Sequence, residues 1–557
     1  MRRLPWITLV LAFFMSLAAP ALTLAQPTST VVIGLDAEPE NLDPRNYNFN
    51  PATFAVSWRL FEPLLIHDTR RGALIPGLAE RYEPLTPARY RFDLRQGVTW
   101  HDGQPFTADD VAWTLTRTPD RIKEYLLDPA NPVEIIDRYT IIVNTAGEVG
   151  PFLLQTVALN WRILPRHIYE PLYAHYRAMS DSELLQVLAA VGVAPGEGET
   201  PLERALFEVE RGALWQEPTD ANGNPLYIGT GPFRFRRWER GAQIVMTAND
   251  AYWGGRPHID RLVWRWEADA AARLAALEAG DFDLILDAPE SEIERLRADE
   301  DIEIIASPGL NYRALTLNLR TPALSDLRVR QAIAHAIDVD ALVNLFPPGM
   351  AARTCAPLPA SSPFNSDAAL CYDHDPDKAR ALLDEAGWNP ATALRLTITE
   401  GDLPEAEAIR DALAEVGVTV VLETVDRDTR RLVVTQGRAE MALYTFANVV
   451  DPDHMYWVFH GDWLGAGKAA GAGGIFGYND PDVNAWTVQG QTTADPEARR
   501  QAYDQAQRKI AQDLPAIFLY SRAEITAYRA DRLAGVTAMP RPTDVFYWLA
   551  TADVIQQ

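Results

Sequence analysis

The chain has 557 residues, too many for one ordinary hydrophobic core, so two or three domains are expected. With 47% hydrophobic and 23% charged residues it is a folded globular chain and not a disordered one. Its formal net charge of -25 argues against nucleic acid and anionic membrane surfaces as partners, because both select basic patches.

Residues 1–25 read as a secretory signal. Arg2 and Arg3 form a positive start, 6–18 are apolar, and small residues follow at Ala19, Ala21 and Ala25. Cleavage is expected after Ala21 or Ala25, with an uncleaved anchor as the alternative. No cysteine follows this segment to carry a lipid, and no later stretch is long and apolar enough to span a bilayer.

Residues 31–34 read as a short strand running into the Leu42-Asp43-Pro44 turn. A polar loop over 46–51 and a helix over 53–60 follow. Residues 78–115 then carry four signals in a row. Tyr90, Phe92 and Leu94 alternate with Arg89, Arg91, Asp93 and Arg95, the pattern of a half-buried strand. Gln96-Gly97 is a turn, and Val98 and Trp100 resume the alternation as a second strand. His101-Asp102-Gly103 turns again, and Thr107 with Asp110 three residues on opens a helix with a capping box.

Residues 141–144 continue the strands. Residues 173–216 are helical and charged, broken at 192–199, and read as a variable surface insertion. A strand is expected over 227–237, with Gly229 and Gly231 in a structural role rather than a phosphate nest, since the P-loop lysine is missing. Strand 262–267, helix 269–279 with Gly280 as its cap, and strand 282–286 make a βαβ unit, so its strands should be parallel. Residues 303–319 are extended. Asp326 and Asp375 cap two helices, the second with Pro376 at its first position and Gly387 at its end. The β/α rhythm returns with strands over 394–399, 418–423 and 441–444 and helices over 404–416 and 426–436, which implies a second α/β lobe. Residues 511–527 lead back to the first lobe, and 536–552 complete it.

Cys355 and Cys371 lie in a proline-rich stretch. In an exported chain a disulfide is favoured over a metal pair, because the spacing is long and His374 stands alone beside them. Closing a loop of this length is worth about 3 kcal/mol in the chain-entropy model.

The 78–115 stretch closely resembles the signature of the family 5 extracellular solute-binding proteins, the receptors of ABC importers for oligopeptides, dipeptides, nickel and related solutes. The resemblance recurs at Asn41-Leu42-Asp43-Pro44, Leu60-Phe61-Glu62-Pro63-Leu64, Gly229-Thr230-Gly231-Pro232-Phe233 and Tyr252-Trp253-Gly254. It continues through Asp326 to Ala332 and through 375–388, in the family's order. It implies an α/β fold of the type II periplasmic-binding-protein kind: two α/β lobes joined by a hinge, the first with an extra small subdomain. The expected division is a signal over 1–25, lobe I over 26–60, the small subdomain over 61–222, lobe I again over 223–308, lobe II over 309–515, and the C-terminal part of lobe I over 516–557. A receptor without a lipid anchor needs an outer membrane to retain it, so the periplasm is expected. The expected partners are a peptide or small-molecule ligand and the permease subunits of an ABC transporter. A monomer is expected, without nucleic acid, cofactor or metal.

Carried over from the family, the candidate ligand-binding residues are Asn48, Phe49, Asn50, Tyr312, Arg313, Asn448 and Asp451. Asp451-Pro452-Asp453 matches a family motif. In peptide-binding members, an aspartate three residues before that motif pairs with the peptide's free α-amino group. This chain has Asn448 there, and Thr445 where a tryptophan is common. An amide offers an ammonium no charge, and charge-assisted hydrogen bonds are roughly twice as strong as neutral ones. A blocked or cyclic peptide, or a nickel chelate, an oligosaccharide or a haem, therefore gains weight beside an ordinary oligopeptide.

A secreted enzyme is the remote alternative. No Gly-x-Ser-x-Gly and no His-Glu-x-x-His occurs. His101 and Asp102 are adjacent in an extended turn, so their side chains should diverge. His454 and His460 read as part of an aromatic, partly buried segment, and the glycine-rich run 461–474 fails both the dinucleotide and the P-loop patterns.

Overall fold

The computed structural model describes residues 29–44, 51–68, 73–117, 127–150, 153, 157, 162–196, 199–211, 219, 226–366, 371–447, 449–461, 476–536 and 552–555. The leader, Asn48, Phe49, Asn50, Asn448, the glycine-rich run after Gly461 and most of 536–552 lie outside the described residues.

The chain opens with β1 (Thr30–Leu35) and α1 (Pro51–Ser57). A hairpin of β2 (Leu65–Asp68) and β3 (Ala73–Pro76) follows. Then come β4 (Ala79–Thr86), β5 (Arg89–Leu94), α2 (Ala108–Thr116), β6 (Val133–Asp137) and β7 (Thr140–Asn144). Three helices, α3 (Arg166–Arg177), α4 (Asp181–Ala190) and α5 (Pro201–Arg211), lead to β8 (Phe233–Glu239), β9 (Gln243–Ala248) and β10 (Arg261–Trp266). Next are α6 (Ala270–Glu278), β11 (Leu284–Leu286), β12 (Ile302–Pro308) and β13 (Tyr312–Leu317). Then follow α7 (Leu327–Ala336), β14 (Ala351–Arg353), α8 (Pro376–Ala386) and β15 (Ala393–Ile398). The second lobe continues with α9 (Leu403–Glu415), β16 (Thr419–Thr424), α10 (Arg427–Thr435) and β17 (Met441–Phe446). Helices α11 (His454–Phe459), α12 (Pro481–Gln491) and α13 (Pro496–Asp513) precede the long β18 (Ala516–Arg529).

The main sheet runs β16-β15-β17-β13-β18-β11-β1-β10-β9-β8. Its two halves are the two lobes. Strands β10 and β11 both lie parallel to β1, one on each side, as the βαβ reading requires. In the other half β15 is parallel to both β16 and β17. Strand β18 belongs to both halves. Residues 516–520 pair with β13 and 523–529 pair with β12. The chain therefore crosses twice: between β12 and β13, and inside β18 at about Ser521–Ala523. The second crossing is later than the boundary at 516 expected from the sequence, because the strand does not break where it changes lobes.

The small sheet β4-β5-β7-β6 stands apart. Its core gathers Leu64, Tyr90, Phe92, Trp100, Phe106, Ile141 and Ile163. Tyr90, Phe92 and Leu94 are buried on one face of β5, as their alternation predicts. Val98 and Trp100 do not make a second strand; one isolated bridge, Thr99 to Pro105, holds that turn. Thr107 and Asp110 form the expected capping box of α2, in which Asp110 accepts the backbone N–H of Thr107 at 3.0 Å.

The stretch 173–216, expected as a surface insertion, contributes buried residues from α3 to α5 to a core. Tyr169, Tyr173, Tyr176, Leu184 and Leu188 join Val31, Ile33 and Trp264 in the lobe I core. Each large apolar side chain so buried contributes about 1.5–3 kcal/mol. Strand β8 starts at Phe233 rather than at 227, because Gly229 and Gly231 run against the backbone of 59–60 instead. A Cβ on either glycine would overlap the Leu60 or Arg59 carbonyl. Cys355 and Cys371 form the disulfide, with Cα atoms 5.1 Å apart.

Candidate functional site: the cleft between the lobes

The strand directions place the site. In lobe I, β11 is antiparallel to β18, so the carboxyl end of β11 lies beside the start of the lobe I half of β18. In lobe II, β17 is antiparallel to β13, so its carboxyl end, Phe446, lies beside Tyr312 at the first crossing. Strand β15 is parallel to β17 and ends on the same side. The carboxyl ends of both lobes' parallel strands thus face the hinge from opposite sides. Open α/β sheets bind ligands in the crevice outside those ends.

The hinge itself is tied across its two strands. The Asn311 side chain accepts the Arg522 N–H at 3.0 Å and donates to the Arg522 carbonyl at 3.1 Å and to the Glu524 carboxylate at 2.7 Å. Gly309 permits this approach, because a Cβ there would run into the Arg522 carbonyl. The Arg522 guanidinium pairs with Glu290 of lobe I. Burial, with the charge of Asp287, pushes the Glu524 carboxyl up to about 7.

The lobe I wall is acidic. Asp36 follows β1, and Asp287 follows β11 with a left-handed φ of 51°. The Asp287 side chain is exposed to solvent, yet protein surrounds it closely enough to raise its pKa. Asp36 adds to that shift, whereas Arg273, Arg522 and Arg427 of lobe II oppose it. A solvent-open side chain that feels charges from both lobes lies in the cleft between them.

The lobe II wall is built differently. Arg313 donates to Glu405 at 2.8 Å and 3.0 Å and to Asp402 at 2.6 Å. Arg430 donates to the other oxygen of Asp402 at 2.6 Å. Burial works against the Arg313 charge, but Glu405 and Asp402 more than offset it and raise its pKa. Asp402 likewise loses by burial and regains more from Arg313, Thr399 and Arg430, so its pKa falls. These charges are neutralised within the lobe.

Of the sequence candidates, three are described. Tyr312 is fully buried, stacked on Phe446, with its hydroxyl 2.9 Å from His454 Nε2. Arg313 is held in the carboxylate network above. Asp451 is buried and grips Arg499 with both oxygens, one at 3.0 Å. All three side chains are buried and held by partners within lobe II. The reason is local: β13 is buried on both faces, so neither Tyr312 nor Arg313 can face solvent. Asp36, Asp287, Glu290, Asn311, Arg522 and Glu524 were not singled out from the sequence. Their only sequence signal is position, just after strand ends or at the crossings.

His101, His167 and His454 are held in hydrogen bonds within the fold. The His101 ring takes the Gly229 N–H at Nδ1, 3.1 Å away, and lies 3.0 Å from the Gly231 carbonyl at Nε2. Burial pushes it down to about 4. Asp102 turns away to His167 at 2.6 Å, so the adjacent pair diverges as expected. Burial pushes His454 down to about 3. Among the described residues no group of three or more His, Cys, Asp or Glu side chains could hold a metal ion. None of the described helices is long and apolar enough to cross a membrane.

Comparison with known proteins agrees with this geometry. Residues 73–465 match the model for bacterial extracellular solute-binding proteins, family 5. The di/tripeptide-binding protein 2 of Pseudomonas aeruginosa is 26% identical over 545 residues, covering 94% of this chain and 95% of that protein. The periplasmic binding protein DppA of Helicobacter pylori, solved with the peptide STSA, superimposes with a TM-score of 0.75 at 21% identity, covering 95% of this chain and 98% of that one. NikZ of Campylobacter jejuni, solved with Ni(L-His), gives a TM-score of 0.74 at 22% identity, covering 95% and 100%. The likeness of structure gives the type II two-lobe fold, and the sequence match spans most of the chain. The chain belongs to the family 5 bacterial extracellular solute-binding proteins.

Proposed function

We propose that the protein is the substrate-binding receptor of an ABC importer, capturing oligopeptides in the cleft and delivering them to a membrane permease. The observation that carries this reading is the two-strand hinge, with the carboxyl ends of both lobes' sheets facing each other across it. A solute held there is covered from both sides when the hinge closes. The relative in Pseudomonas aeruginosa is a di/tripeptide-binding protein, which supports a peptide ligand. The acidic lobe I wall suits the cationic groups of peptides. Asn48, Phe49, Asn50 and Asn448 are the candidate ligand contacts, with Tyr312, Arg313 and Asp451 supporting the wall from within. The protein works as a periplasmic monomer exported by residues 1–25.

A second reading keeps the receptor role but takes a non-peptide solute. Asn448, in place of the aspartate expected to hold a free amino group, favours it, and so does the Ni(L-His) complex of a structural neighbour. Native mass spectrometry of the protein, purified without unfolding from its own compartment, separates the two. Released peptides of mixed sequence establish the first reading. A single non-peptide mass rejects it and names the solute class.

A further inference from the structure

The Asp451-Pro452-Asp453 motif carries a buried charge cluster in lobe II. Its partners lie on α11, α12 and α13 of lobe II. Arg499 on α13, held by both oxygens of Asp451, turns its Nε to the Gly490 carbonyl at 3.0 Å. Asp453 accepts the Gln491 side chain at 3.2 Å, Trp457 Nε1 at 2.7 Å and the Tyr503 hydroxyl at 3.3 Å. Residues Gly490 and Gln491 end α12, so both aspartates fix the link from α12 to α13.

That link touches the small subdomain. The Gly150 N–H donates to the Gln491 carbonyl at 2.8 Å. The Glu148 carboxylate accepts the Ala494 N–H. Gly150 fits because it has no side chain: a Cβ there would overlap the Thr493 carbonyl and come within 2.8 Å of Arg499 Nε. Val149, between the two contact residues, belongs to the small-subdomain core, whereas Tyr503 and Val483 belong to the lobe II core. The contact therefore joins two separately packed bodies. Two hydrogen bonds between separately packed bodies stabilise the arrangement of the lobes in which those bodies meet.

We propose that Glu148–Gly150 and Gln491–Ala494 form a latch that holds the cleft closed, and that Asp451, acting through Arg499, is its positioning residue. The latch is independent of which solute binds. An aspartate that the family pattern placed among ligand contacts then serves closure instead.

Amide exchange and small-angle scattering of the full exported protein test this without any ligand. In Gly150→Val the amides of Gly150 and Ala494 should exchange at least about tenfold faster, and the radius of gyration should rise, with the unfolding midpoint unchanged. Glu148→Ala, on a half-exposed side chain, should do the same to a smaller extent and guards against a folding failure of the valine variant. Asp451→Asn should accelerate the Gly150 amide in the other body, a readout that a role confined to the lobe II core would not move. If both subdomain variants fold and leave the Ala494 amide and the radius unchanged, there is no latch. If Asp451→Asn accelerates exchange only within lobe II, the positioning role falls.

Discussion

The two walls of the cleft use charge in opposite ways. On the lobe II side Arg313, Asp402, Glu405 and Arg430 are buried together, and each cation faces a carboxylate within 3.0 Å. On the lobe I side Asp36, Asp287, Glu290 and Glu524 gather around the hinge, with Arg522 paired to Glu290 and Arg273 beside Asp287. The first arrangement completes itself and stiffens a wall. The second leaves an excess of negative charge in a place that water still reaches. A charged residue near a cleft is thus no evidence of ligand contact until its own partners are counted.

The largest effect that would break this comparison is on the lobe II side. Arg313→Ala leaves Asp402 and Glu405 buried without their shared cation, and such a break costs about 3–5 kcal/mol. Urea unfolding should read that loss. A cost under about 1 kcal/mol would mean that water enters the network and that the two walls differ less than the geometry says. The Cys355–Cys371 disulfide braces the same lobe. Changing both cysteines to serine should cost about 2–4 kcal/mol in the same assay.

Burial also gives lobe II an acid-sensitive group. His454 is held neutral beneath Tyr312, pushed down to about 3 from an ordinary 6.5. The unfolded chain binds the proton first, so stability is complete above about pH 6.5 and falls as the pH drops toward 3. His101, pushed down to about 4, acts in the same direction from the small subdomain. Thermal midpoints from pH 7.5 to 4.5 should show the fall, and His454→Phe should flatten part of it. An unchanged slope in that variant would assign the whole effect elsewhere.

The fold was far more legible in the sequence than the site. Period and punctuation carry over: Asp375, Pro376 and Gly387 bound α8 as capping chemistry requires, and the alternation of 89–95 gives the buried face of β5. Where the reading slipped, tertiary contact had overridden local pattern. Helices α3 to α5 are charged enough to suggest a surface insertion, but three tyrosines turn inward to lobe I. Trp100 continues an alternation yet sits in a turn, because Phe106 and the small-subdomain core take its ring. The site depends on which strand ends meet across the hinge, and pairings between residues some 200 positions apart leave no local trace. A family motif also marks its residues without saying why. Asp451 stands in such a motif, and its carboxylate faces Arg499 on a helix 48 positions later.

The smallest expected effect sharpens the other side of the comparison. Glu524 carries a carboxyl pushed up to about 7 from an ordinary 4.5, by burial first and then by Asp287. The group facing it from the opposite crossing is Asn311, with Arg522 and Glu290 beside it. A raised acid pKa favours the protonated folded form, so its contribution is full below about pH 4.5 and is lost as the pH rises through about 7. Glu524→Gln keeps an acceptor for Asn311 and removes the titration. Relative to the wild type it should therefore gain stability between pH 6 and 8 and differ little at pH 4.5. Because water reaches this wall, the gain should be well under the cost of Arg313→Ala. A gain as large would mean that lobe I pays the same burial penalty as lobe II, and the contrast between an open wall and a closed one would be lost.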